Sequence, residues 1–176
     1  MNAVDIAILI VVLIPSLLGL KKGFLKSVFS LISILVGLYL ATKFYTVIAN
    51  YVSIVISSEK VSIIFSFLVI ILAVYFLGVF IAHKISKLNT VTKTADKVAG
   101  FFFGALKGLI VVSLLLILFR YINVISDDDT KTSRIYPYVV DFAPDTLKII
   151  VNVLPESKST IDKIESFFPK DTLNYH

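Results

Sequence analysis

Four stretches of this chain are long, apolar and nearly free of charge, and any fold it adopts must give them something apolar to lie against. Val4–Leu20 carries one charged side chain, Asp5, at its very start. Phe24–Thr42 carries Lys26 in its first turn, Val61–Ala82 carries none, and Val98–Phe119 carries Lys107. A helix that crosses the hydrocarbon layer of a membrane needs about 20 mostly apolar residues. The runs meet that length. Their β-branched residues would favour strands in water, but a barrel strand is only about 9–11 residues long and alternates in polarity. Bare backbone amides cannot be left unpaired in lipid, so the runs are predicted to be helices. The fold class that follows is all-α: a polytopic integral membrane protein with four transmembrane helices and a short, partly helical C-terminal tail.

Composition agrees with that class. Of 176 residues, 57% are hydrophobic and 16% charged, against about 45–50% and about 25% in soluble domains. A soluble core of this size could not hide so much apolar surface, which excludes a cytosolic enzyme as well as a disordered or collagen-like chain. With no cysteine there is no disulfide frame, thiol nucleophile or iron–sulfur site. His83 and His176 are the only imidazoles. We therefore expect no catalytic residues, no metal site and no cofactor. No Lys or Arg precedes the first apolar run and no small-residue cleavage site ends it, so it reads as a retained helix rather than a cleaved signal.

Charge divides the chain in two. Residues 1–119 hold 10 Lys and 3 acids, whereas residues 120–176 hold 7 Lys or Arg and 9 acids. The division gives a four-helix membrane domain over residues 1–120 and a polar tail with short amphipathic helices over 121–176. The net charge of +5 then speaks to orientation and not to nucleic acid, which is not expected as a partner. The first link holds Lys21, Lys22 and Lys26, and the third holds Lys84, Lys87, Lys93 and Lys97. The second holds Lys43 and Lys60. Basic residues stay in the cytoplasm, so links one and three are expected inside and both termini and the tail outside.

Several residues stand out against this background. Lys107 lies nine residues past Val98, about 14 Å along a helix. One reading makes it an anchor that snorkels toward headgroups. The other makes it a charge facing a polar cavity between helices, with Asp96 and Lys107 shaping a polar interface near the cytoplasmic leaflet. Gly100, Gly104 and Gly108 recur every fourth residue, the spacing that lets another backbone approach closely. Gly23, Ser27, Ser30, Gly37 and Ala41 form a second small-residue stripe, a candidate partner for the first. Pro15-Ser16 predicts a kink in the first span, and Gly19 to Gly23 predicts a tight, positively charged turn. Asp127-Asp128-Asp129 lacks calcium-loop spacing and reads as a solvated turn. In the tail, Asp145–Val153 predicts a helix with Leu147, Ile150, Val151 and Leu154 on its apolar side. Ser159 with Asp162 predicts a second helix start, followed by Ile161, Ile164, Phe167 and Phe168. These pieces are expected to dock on the bundle or to meet a partner.

The turn Gly19-x-x-Lys22-Gly23, the early Asp5, and the block Asp96-Lys97-Val98-Ala99-Gly100-Phe101-Phe102-Phe103-Gly104-Ala105-Leu106-Lys107-Gly108 carry a resemblance. Over roughly residues 4–120 the chain resembles the colicin V production protein family. Lys22 and Lys107 stand where that family often has Arg, which keeps the charge and loses the bidentate fork. Ser133, Pro137 and Pro144 are similar to a Ser-then-Pro region of the family. The resemblance implies a multi-pass protein of the bacterial inner membrane, associated with colicin V production or export and with envelope homeostasis. Some relatives carry an extracytoplasmic serine protease after the same membrane segment, and this chain lacks it.

The expected function is therefore a non-enzymatic accessory or scaffold factor in toxin production and envelope maintenance. Helix packing is assigned to Gly19, Gly23, Gly100, Gly104 and Gly108, and polar contacts to Asp5, Lys22, Asp96 and Lys107. Its partners are the lipid bilayer, a second copy of itself in a homo-oligomer, and an extracytoplasmic protein for the tail. The alternative is a small oligomeric channel or transporter that uses Lys107 and Asp96.

Overall fold

The computed structural model describes residues 2–86, 94–122 and 124–153. Every regular element among them is helical: α1 (Ala3–Val52), α2 (Glu59–Ser86), α3 (Thr94–Tyr121), α4 (Asp127–Thr132), α5 (Tyr136–Val139) and α6 (Phe142–Val153). Three of these, α1, α2 and α3, are long and apolar enough to cross a membrane.

The 50-residue α1 is broken once, at Gly23, where φ is +78° and ψ is 175°. Only glycine takes such a left-handed φ without a steric penalty. The contacts on either side show what the break does. Before it, Val12 lies against Gly108, Pro15 against Gly104 and Gly19 against Gly100, so this arm runs antiparallel to α3. After it, Phe24 stacks edge-on against Phe103 with ring centroids 5.3 Å apart, and Ser30 meets Lys107. That arm runs parallel to α3. The two arms therefore run in opposite directions, and α1 is a hairpin of two helices.

α2 packs antiparallel to the second arm, with Gly37 against Ile71 and Gly78 against Ser33. The Gly23 corner meets the start of α3 at one end of the bundle. At the other, Asn2 bonds to α4, and Lys60 at the start of α2 stands 5.6 Å from the ring of Tyr121. α3 is the central helix, with Ile110, Val112, Leu114, Leu116, Ile117 and Leu118 all buried. The outer faces of α1 and α2 expose Ile10, Leu13, Ile14, Phe76, Leu77 and Phe80, a band too apolar to face water.

The tail folds back onto this bundle. Tyr136, Val140, Leu147 and Val151 enter the same core as Ile8, Leu38 and Phe67. On α6, Ala143, Leu147 and Val151 recur at the four-residue spacing of one buried helix face, while Ile149 points away and is exposed. The link between α5 and α6 is satisfied by one hydroxyl. Ser113 Oγ donates to Val140 O at 2.6 Å and accepts from Ala143 N at 2.9 Å.

Several expectations are corrected. The backbone stays helical through Pro15, where Ser16 Oγ donates to Val12 O at 2.6 Å, and the helix is broken at Gly23, in the turn expected between Gly19 and Gly23. The second run continues past Thr42 to Val52 because residues 43–52 contain no Gly or Pro to stop it. Asp127-Asp128-Asp129 is not a turn but the first turn of α4, where Ser126 Oγ accepts from Asp129 N at 3.2 Å. That is a capping box, with acids at the positive end of a helix. The helix predicted from Ser159, together with Leu154, Lys87 and Lys93, lies outside the described residues.

Candidate functional site

Three polar arrangements stand out in this apolar bundle, two of them built on a buried charged side chain, Asp5 and Lys107. The first is the corner of α1. A helix beginning at Phe24 leaves its first N–H groups without intrahelical partners. Asp96, in the first turn of α3, supplies one acceptor: Phe24 N donates to its Oδ1 at 2.9 Å. Its carboxylate thus sits between two helix N-termini, where negative charge is favoured. A Cβ on Gly23 would collide with this carboxylate, and a Cβ on Gly19 would enter the backbone of Gly100. Gly23→Ala should therefore lower stability by at least about 1–2 kcal/mol, the cost of a left-handed non-glycine residue, as read by an SDS titration of the purified protein. A variant as stable as the wild type would contradict the corner geometry.

The second arrangement joins the N-terminus to the tail. Asp5 is fully buried. Its Oδ1 accepts from Ser133 Oγ and, at 3.1 Å, from Ile135 N, while its Oδ2 accepts from Asn2 N at 3.1 Å. Asn2 Nδ2 donates to Asp129 O at 2.7 Å and to Thr132 Oγ1 at 2.9 Å. One carboxylate therefore caps the start of α1 and holds the segment between α4 and α5.

The third surrounds Lys107. Its side chain is only 7% exposed, covered by the protein's own helices except where it lines a groove. Lys107 Nζ donates to Ser30 Oγ at 3.5 Å and lies 5.8 Å from the centroid of the Tyr75 ring. Among the described residues no carboxylate pairs with it. It lines a groove of about 340 Å³ that is otherwise almost wholly apolar, shared with Lys22, Tyr75, Leu72 and Leu115.

The residues singled out in the sequence thus fall into separate places. Asp96 and Lys107 do not form a joint interface: α3 is one continuous helix, and eleven residues separate them by about 16 Å of rise. The α3 glycines meet Gly19, Pro15 and Val12 of the first arm; of the second small-residue stripe, Gly23 at the corner lies against Gly100, while Gly37 faces α2. Lys22 is exposed at the mouth of the groove. Sequence reading missed Ser113 and Tyr75. A lone serine within the apolar run of α3 was the available signal for Ser113; Tyr75 had none.

The described geometry corresponds closely in extent to a sequence relationship. The family described as colicin V production protein matches residues 4–144. The chain belongs to that family. The match runs past the four apolar stretches and through Asp5's tail partners, further than residues 4–120. A colicin V production protein of Escherichia coli (strain K12) is 28% identical over 137 residues, covering 76% of this chain and 84% of the relative. A colicin V production protein homolog of Haemophilus influenzae is 29% identical over 143 residues, 77% of this chain and 84% of the relative. No solved structure matches the chain. For this family member, then, the membrane bundle and the start of the tail form one structural unit.

Proposed function

We propose that this chain is a non-enzymatic accessory or scaffold protein of the bacterial inner membrane that acts in colicin V production and in envelope homeostasis. It crosses the membrane four times with both ends outside the cytoplasm. The observation that carries this reading is the pairing of Asn2 and Asp5 with residues 129–135 in a chain matched from 4 to 144 by the colicin V production family. Ends that share one end of a bundle require an even number of crossings, and the reversal at Gly23 supplies the fourth helix. The excess of Lys in links one and three supports their cytoplasmic placement. The exposed Tyr138 and Ile149 give the tail apolar surface for an extracytoplasmic partner, and the outer faces of the bundle give room for a second copy.

A second reading, a small channel or transporter, has the buried ammonium of Lys107 in its favour, since intramembrane charge commonly marks a transport path. Against it, Asp96 is committed to the α1 corner. Deletion in a colicin V-producing strain tests the first reading: toxin release should fall and return with the wild-type chain. Undiminished release would refute it, and Lys107-dependent flux in reconstituted vesicles would favour the second.

A further inference from the structure

The groove beside Lys107 has a polarity gradient along its length. Along α3 it runs from Lys107 to Leu115, about 12 Å at the helical rise. Lys22 follows Gly19, which abuts Gly100, so Lys22 stands beyond the Lys107 end. α2 runs the other way, and its Leu68 reaches the opposite, leucine-lined end. One end is therefore cationic and the other purely apolar. The groove opens sideways, because Leu18 and Leu72 on its rim are both substantially exposed.

Two lysines on one groove repel each other, and among the described residues the buried one meets a hydroxyl and a ring face and no carboxylate. A Lys in the hydrocarbon layer is costly to hold as a charge, and neither Ser30 nor Tyr75 supplies a negative charge. An anion placed between the ammoniums would relieve both the repulsion and the unmatched charge through charge-assisted bonds. The leucines at the other end require that the anion bring a hydrocarbon chain with it.

The geometry points to a binding site for one anionic phospholipid of the surrounding bilayer, its phosphate on Lys107 and Lys22 and an acyl chain along Leu18, Leu72 and Leu115. Basic pockets between membrane helices select such headgroups. A free inorganic anion does not fit the apolar half, and a zwitterionic lipid would bring its own cation to the two lysines. Lipid occupancy stands independently of the scaffold role and of which way the chain threads.

The test is native mass spectrometry of the full-length protein in detergent micelles, titrated with phosphatidylglycerol and phosphatidylcholine of matched chains. The wild type should retain one phosphatidylglycerol with roughly tenfold preference, about 1.4 kcal/mol. Lys22→Gln and Lys107→Gln should each reduce that preference, and Leu72→Trp, which fills the groove from its exposed rim, should abolish retention. Lys21→Gln, outside the groove, should leave it unchanged, and inorganic phosphate should not displace the lipid. Equal retention of the two lipids would overturn the site. So would displacement by inorganic phosphate, or full retention in both Lys22→Gln and Leu72→Trp. The last two variants decide the matter if Lys107→Gln does not fold.

Discussion

Gly104→Leu should lower the stability of the bundle by about 3 kcal/mol, the upper end of the usual cost of overpacking. The reason is what a side chain at 104 would strike. Its Cβ alone would meet the carbonyl of Pro15 and stand 3.0 Å from Ser16 Cα. These are backbone atoms of a helix already constrained by a proline, so no rotamer change relieves the contact. The first arm of α1 would have to move away from α3, pulling Gly19 from Gly100 and opening the α1 corner. In lipid no hydrophobic force draws helices together, and close packing of this kind carries much of their association. Unfolding by SDS of the purified variant, compared with the wild type, reads the effect. A midpoint equal to the wild type's would refute close backbone packing at Gly104.

Asp5→Ala should release the tail and lower stability by about 2–4 kcal/mol, since buried donors left without an acceptor cost about 1–3 kcal/mol each. Ser133 Oγ and Ile135 N both lose their acceptor, and the Asn2 main chain loses its side of the capping box. Asp5→Asn keeps an acceptor and should lose less. Arg134 is exposed beside this latch, so trypsin should cleave the Asp5→Ala protein there faster than the wild type. Equal cleavage rates and equal SDS midpoints would show that the tail is held by its apolar contacts alone.

The sequence made some of this legible and hid the rest for physical reasons. Long apolar runs with little or no charge announce helices, because length and apolarity are local properties; α2 and α3 were readable on that basis. The corner was only half legible. A glycine beside two lysines suggested a turn, but Pro15 competed for the break, and the Asp96 carboxylate that a Cβ at Gly23 would strike is distant in sequence. The partner of Asp96 could not be read at all. It is the main-chain N–H of Phe24, 72 residues away, and a backbone group leaves no mark in a sequence. A shared interface for Asp96 and Lys107 required the segment between them to leave the regular helix; a continuous α3 keeps them apart. In the tail, the apolar face of α6 with Leu147 and Val151 was legible from its spacing, whereas Tyr136 and Val140 gain meaning only against the bundle core they enter. Ser113 serves residues 27 and 30 positions away, and its role is visible only once α5 and α6 are in place.

The proposed four crossings, which rest on the reversal at Gly23 within α1, are tested most directly by sidedness. The chain has no cysteine, so single cysteines placed at exposed Lys21, Ser57, Lys97 and Lys131 report their side without interference. In intact cells or sealed spheroplasts, a membrane-impermeant maleimide should label positions 57 and 131 from outside and reach 21 and 97 only after permeabilisation. Labelling of 21 and 57 from the same side would mean that α1 does not cross the membrane twice, and would contradict the hairpin.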